Sequence, residues 1–267
     1  MKKSLGVVLS GGGIRGMAHL GLLQALKEHE IEPDCIAGAS AGALVGAMYA
    51  AGCTPEQSLE LFTNTPLFRW TNYNLTRWKP GLFDTEKYRK YFLRFLPDDT
   101  FEALEKQLFV SVTDVCSGRP VIMNSGPIIK VLSASAAVPP IFSPVMIDDV
   151  YYADGGIMNN FPLEPLEERC THLLGSYVSP VRPVEASEMW NSFNLVGRSY
   201  ELVTHAQSFV KFKRCDYLFS PDELHPFGLL NTGKLEMVYQ VGYEKALEQM
   251  PSIKKALGYS NDQLLAS

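Results

Sequence analysis

The chain has 267 residues, 46% of them hydrophobic, which is enough to bury one sizeable core without help from disulfides or metals. Its formal net charge is −5 and its basic residues occur only in short groups. This argues against nucleic acid as a partner, because phosphate backbones are held by clustered positive charge. The five cysteines, Cys35, Cys53, Cys116, Cys170 and Cys215, are odd in number, widely spaced and form no C-x-x-C pair. That speaks against a disulfide framework or a zinc site and for a reducing, cytoplasmic setting.

In chain order, residues 5–9 form a short apolar run that ends in Ser10-Gly11-Gly12-Gly13, as a buried strand entering a tight turn does. The run meets the glycines with no cleavage signal, so it reads as a strand and not as a signal peptide. No apolar run reaches the roughly 18 residues of a membrane span. Residues 17–26 repeat Leu20, Leu22, Leu23 and Leu26 at helical spacing, and Glu30-Ile31-Glu32-Pro33 closes that helix. Residues 35–37 predict a very short strand and 40–51 a second helix, with Gly52 at its C-terminal end. Two strand–turn–helix units in succession imply a parallel α/β sheet with right-handed crossovers. Residues 63–84 carry Phe68, Arg69, Trp70, Tyr73, Arg77, Trp78, Lys79 and Phe83 without a clear period. Two readings stand: a surface loop with anchoring aromatics, or a lid or interfacial patch of peripheral membrane contact. Further on, strands are expected at 108–115, 121–124, 173–178 and 217–220, and helices at 128–137, 187–213 and 233–257.

Three motifs carry chemistry. Gly38-Ala39-Ser40-Ala41-Gly42 is a G-x-S-x-G between a strand and a helix, a turn that points a serine hydroxyl outward at a helix N-terminus. Its plain reading is a small-residue turn. Ser10-Gly11-Gly12-Gly13-Ile14-Arg15-Gly16 frees backbone N–H groups to face an anion. It fits either a phosphate cradle or an oxyanion hole. There is no G-K-[ST], and the next strand ends in the serine turn, with no acidic residue there to hold a ribose. Asp154-Gly155-Gly156 is either an ordinary turn or the seat of a rigidly held carboxylate that serves Ser40 directly. None of His19, His29, His172, His205 and His225 has a pattern that marks it as the base of a triad. His19 reads as a packing or supporting residue.

Taken in order, the Gly11–Gly16 segment, Ala18-His19-Leu20-Gly21, the serine turn and Asp154-Gly155-Gly156 resemble the patatin-like phospholipases. So do Asp114 with Gly118, Ala134-Ser135-Ala136-Ala137-Val138-Pro139 with Phe142, Asn159-Asn160 with Pro162, Asp216 to Pro221, and Gly242-Tyr243. The resemblance covers nearly the whole chain. It implies one domain over 1–267, a three-layer α/β/α sandwich with a mainly parallel sheet, a variable lid-like segment near 63–100 and a C-terminal helix near 233–257. It also implies a Ser-Asp dyad of Ser40 as nucleophile and Asp154 as base, with an oxyanion hole on Gly11, Gly12, Gly13 and Arg15. No metal or other cofactor is needed, and calcium independence follows from the resemblance. The expected activity is hydrolysis of acyl esters in lipids. Acyl transfer on the same dyad is the alternative, and nucleotide binding at the glycine loop a more distant one.

Overall fold

Every strand among the described residues belongs to one mixed sheet. The computed structural model describes residues 4–65, 89–189, 191–229 and 231–259. In it the elements run β1 (Leu5–Leu9), α1 (Met17–Glu28), β2 (Cys35–Ala39), α2 (Ala41–Ala50), α3 (Pro55–Asn64), α4 (Arg89–Phe92), β3 (Gln107–Asp114), β4 (Arg119–Met123), α5 (Ile128–Ser135), β5 (Val145–Ile147), β6 (Val150–Asp154), α6 (Gly156–Asn159), α7 (Glu164–Glu167), β7 (His172–Ser176), α8 (Ser192–Phe209), β8 (Tyr217–Phe219) and α9 (Leu235–Ala256). Hydrogen-bonded neighbours follow the order β5-β6-β3-β2-β1-β7-β8, with β4 also on β3. The β1, β2, β3, β7 and β8 pairings are parallel. Those of β4, β5 and β6 are antiparallel.

Side-chain alternation along the strands decides which helices meet which face. Leu5, Val7 and Leu9 of β1, Ile36 of β2 and Leu108, Val110 and Val112 of β3 join a core with α1, α2, α3, α5 and α9. Val8, Cys35, Ala37 and Phe109 point the other way, against Phe161, Tyr177 and Leu166 of α7. α8 lies on this second side, where His205 packs on Tyr177 and Phe212. The result is the three-layer α/β/α arrangement. α1 and α9 approach closely at two glycines: a Cβ on Gly21 would stand 2.3 Å from the Tyr243 nitrogen, and one on Gly242 2.4 Å from the Ala18 carbonyl oxygen.

One detail of the register prepares the site. Ser111 pairs with both Ala39 and Ile122, and Val112 with both Asp154 and Val121. A strand residue has two edges, so β4 takes one edge of β3, and the other receives β2 up to Ser111 and β6 from Val112. β2 runs parallel to β3 and β6 antiparallel to it, so their C-terminal ends, Ala39 and Asp154, meet head to head.

The expected elements are present, with ends moved by a few residues. The 187–213 helix is shorter, spanning Ser192–Phe209 between 3-10 turns at Ala186–Met189 and Phe212–Arg214. α3 was not anticipated, although Thr54 and Gln57 close a capping box with Pro55 at its first turn. The β5–β6 hairpin turns through Asp148 and Asp149, both at positive φ (47° and 64°), as a two-residue turn of the primed type requires. Most of the 63–84 segment lies outside the described residues, which omit 66–88. Among the described residues no helix is long and apolar enough to cross a membrane.

Candidate active site

Ser40 stands between β2 and α2 with φ 52° and ψ −122°. A residue with a Cβ held there costs on the order of 1–3 kcal/mol, so its surroundings must impose the geometry. Its N–H donates to Ser135 Oγ at 2.9 Å, and the Ser135 hydroxyl donates to the Ser111 carbonyl at 2.7 Å. α2 behind it, AGALVGAMYA, has no charged residue and is buried on every side. A helix apolar all round belongs inside a core, and this one turns the positive end of its dipole on Ser40.

Asp154 has no exposed surface. Its Oδ1 accepts the Gly156 N–H at 2.7 Å and the Tyr200 hydroxyl at 3.0 Å. Its Oδ2 is buried and has no hydrogen-bond partner among the described residues. Burial pushes the carboxyl up to about 6, against the opposing influence of the Ser40 hydroxyl, the Gly156 N–H and Tyr200. Ser40 is therefore within electrostatic reach of the carboxylate without closing a hydrogen bond onto Oδ2. The surrounding backbone is pinned too. The Asp154 N–H donates to the Ala137 carbonyl at 3.1 Å, the Gly155 N–H to the Ser135 carbonyl at 3.3 Å, and the Thr113 hydroxyl to the Asp154 carbonyl at 2.8 Å. The segment around Ser135 thus ties the serine turn to the aspartate.

The glycine loop lies against the same serine: a Cβ on Gly11 would stand 3.2 Å from Ser40 Cβ and 2.4 Å from Asn160 Oδ1. The Gly11 N–H is used by the Asn160 carbonyl at 3.3 Å, the Ile14 N–H by the Leu229 carbonyl at 3.0 Å and the Arg15 N–H by the Gly12 carbonyl at 3.1 Å. The N–H groups of Gly12 and Gly13 have no backbone acceptor among the described residues. Gly13 sits at φ 55°, where glycine is at ease. The Arg15 side chain is buried and turned to other partners, an ion pair with Glu201 at 3.0 Å and a bond to the Phe227 carbonyl at 2.6 Å. Burial lowers its pKa and Glu201 opposes the shift.

His19 is fully buried under the loop, with Nε2 at 2.9 Å from the Ser10 carbonyl and Nδ1 at 2.8 Å from Ser176 Oγ. A carbonyl only accepts, so Nε2 carries the proton and Nδ1 accepts from Ser176. Burial lowers its pKa to about 4, which keeps it neutral, a strut between β1 and β7.

Of the expected residues, Ser40 lies beside both Asp154 and Gly11; Gly12 and Gly13 continue the loop beside Val178, Ser179 and Leu229, and the Arg15 guanidinium is engaged elsewhere. Sequence reasoning missed Tyr200, Glu201, Ser135 as a linker, and Asn160. A fragment of signal existed for two of them, since Ser135 and Asn160 stand in segments that resemble the family. Among the described residues no cluster of three or more His, Cys, Asp or Glu side chains could hold a metal ion.

The pattern of a family described as patatin-like phospholipase matches residues 7–167. An uncharacterised NTE-family protein of Mycobacterium tuberculosis is 29% identical over 201 residues, covering 72% of this chain and 55% of that protein. A lysophospholipase of Aspergillus terreus is 24% identical over 290 residues, covering 94% of this chain and 18% of that protein. The chain thus spans about half the length of the first of these relatives and less of the second. Among solved structures, VipD from Legionella pneumophila superposes with a TM-score of 0.53 at 16% identity, covering 94% of this chain and 67% of that one. At that identity the likeness concerns the fold alone.

Proposed function

Because the chain belongs to the patatin-like phospholipase family, we propose that it is a serine acyl hydrolase of lipid esters, of phospholipase A or lysophospholipase type, working through Ser40 and Asp154. The lysophospholipase among its relatives supports the substrate class. One observation carries the reading: a fully buried carboxylate, bonded through Oδ1 and without a partner at Oδ2 among the described residues, beside a serine held at positive φ.

Ser40 Oγ attacks the acyl carbonyl carbon while its proton passes to Asp154. Burial lifts the carboxyl to about 6, still far below a serine hydroxyl, so proton transfer accompanies formation of the new C–O bond. Negative charge gathers on the carbonyl oxygen, where the Gly12 and Gly13 N–H groups and the N-terminus of α2 receive it. Gly11 and Arg15 shape the loop instead of donating. The tetrahedral adduct collapses, the ester C–O bond breaks, and the leaving alcohol takes the proton back from Asp154. Water then attacks the acyl-serine, giving its proton to the same carboxylate, and the fatty acid leaves as Ser40 is restored.

The test is hydrolysis of a panel of phospholipids, lysophospholipids and simple esters by wild type and Ser40→Ala, with fluorophosphonate labelling read by mass spectrometry. Hydrolysis with the label on Ser40 is expected. Full activity in Ser40→Ala, or an active chain unlabelled at Ser40, overturns the assignment. Product analysis with and without an alcohol acceptor tells whether water or an alcohol takes the acyl group.

A further inference from the structure

Two asparagines follow Asp154-Gly155-Gly156, one at the end of α6 and one just past it, and the fold treats them differently. Asn159 has both ends of its amide engaged: Nδ2 donates to Glu164 at 3.1 Å, and Oδ1 accepts from Lys211 Nζ at 2.7 Å. Asn160 is 3% exposed, yet among the described residues its side-chain amide has no hydrogen-bond partner. Buried amides are nearly always paired, because burial without a partner is costly. Two glycines make room for this one. A Cβ on Gly11 would stand 2.4 Å from Asn160 Oδ1 and 3.2 Å from Ser40 Cβ. A Cβ on Gly156 would stand 2.9 Å from Asn160 Oδ1, 2.8 Å from Asp154 Oδ1 and 2.5 Å from the Tyr200 hydroxyl. The amide therefore lies among the serine, the aspartate and the glycine loop.

Donors are scarce at this point. The N–H of Gly11, the loop glycine beside Ser40, is taken by the Asn160 carbonyl at 3.3 Å. The Arg15 guanidinium is held by Glu201 and the Phe227 carbonyl. The residue that occupies the Gly11 donor thus brings a donor of its own to the same spot. A neutral donor also suits the place. A cation so near Asp154 would hold the carboxylate ionised and weaken it as a base, whereas an amide N–H stabilises a developing oxyanion without that effect. With no partner fixing either end, rotation about the Cβ–Cγ bond is free to turn Nδ2 toward an incoming carbonyl oxygen.

We propose that Asn160 is a further catalytic residue, its Nδ2–H donating to the acyl carbonyl oxygen as negative charge gathers there, beside the Gly12 and Gly13 N–H groups. The inference rests on the hydrolase reading. The amide gives up no proton and forms no covalent bond; its hydrogen bond strengthens as the adduct forms and relaxes as it collapses. Asn160→Ala should lower kcat about 10²–10³-fold, the usual effect of one missing oxyanion donor, with KM moved by no more than about threefold. A trifluoromethyl ketone, which captures the serine as a hemiketal oxyanion, should bind more weakly by the same factor as kcat/KM falls. The thermal midpoint should hold or rise, since no partner is lost. Asn160→Leu, of similar volume, repeats the test should the alanine variant not fold. Full kcat in a folded variant, with wild type active and labelled at Ser40, overturns this inference alone. A fall in kcat with ketone affinity unmoved shows a structural loss and overturns it too. So does fluorophosphonate labelling at the wild-type rate with slowed release of the acyl group, which would put the amide on the attacking water. A wild type that hydrolyses no ester and stays unlabelled at Ser40 overturns the hydrolase reading, and the inference with it.

Discussion

β1 and β2 lie side by side and each runs through a glycine-flanked turn into a helix, but the two turns are held by opposite means. After β1 the chain uses three glycines, and among the described residues the amides of Gly12 and Gly13 have no backbone acceptor. After β2 the critical residue is a serine at φ 52°, kept in place by Ser135. The first turn is unstrained and offers donors; the second is strained and offers a hydroxyl. Glycine suffices where the backbone itself is the reagent, whereas a side-chain reagent must accept the conformational cost of its Cβ.

Substitutions can break that comparison, beginning with the largest effect. Ser40→Gly removes hydroxyl and strain together. Ester hydrolysis should fall by about 10⁴–10⁶-fold, while chemical denaturation should show stability unchanged or higher by about 1 kcal/mol. A clear loss of stability would contradict the strain account.

Asp154→Asn should lower hydrolysis by at least about 10³-fold and yet stabilise the fold. The native carboxyl titrates near 6, above its ordinary 3.8, so the folded chain holds a proton that the unfolded chain has released between these values. Stability therefore declines as pH rises from about 4 to about 6 and levels off above. The shift of about two units corresponds to on the order of 3 kcal/mol at pH 7. Asparagine keeps an acceptor for Gly156 and Tyr200, and should recover on the order of 1–3 kcal/mol at pH 7, with the pH slope gone from the melting curves.

Gly12→Ala tests the unstrained turn. Its Cβ would stand 2.7 Å from Val178 Cγ2 and 2.8 Å from Ser179 Oγ, so the loop must shift. The expected loss in kcat is about 10²–10³-fold, the usual effect of one missing oxyanion donor, with fluorophosphonate labelling of Ser40 slowed in parallel.

The smallest effect is expected for Tyr200→Phe. Tyr200 holds the carboxyl pKa down, so its loss should move the acidic limb of kcat/KM, expected near pH 6 in wild type if Asp154 is the base, to higher pH. Activity at pH 8 should change by no more than about tenfold. An unmoved limb would show that Tyr200 serves packing alone.

The sequence carried the parts of the site that depend on local backbone. Ser40 and Asp154 each end a strand in a glycine turn, and their strands β2 and β6 finish opposite consecutive residues of β3. Tyr200 and Glu201 were illegible because they reach the site from mid-helix through tertiary contact, with no turn chemistry to mark them. α8 also misleads on pattern: its apolar spacing suits a core-facing helix, yet that face is exposed, and its polar residues point inward at Asp154 and Arg15. Arg15 could be placed near the loop from its motif, but the direction of its side chain depends on Glu201 and Phe227, far along the chain. The capping box of α3 was readable in Thr54 and Gln57, with Leu61 and Phe62 on the buried face behind it.

The braces of the glycine loop have a consequence for biosynthesis. Arg15 leans on Glu201 and the Phe227 carbonyl, Ile14 on Leu229, and α1 on α9 through Gly21 and Gly242. A ribosome delivers all of these after Ser40 and Asp154, since chains emerge from the N-terminus onward. A nascent chain therefore carries Ser40 and Asp154, the proposed nucleophile and base, well before the glycine loop has anything rigid behind it. Esterolytic competence should then arise late in translation, as the distal segments dock, and a ribosome stalled short of residue 229 should display an inert enzyme.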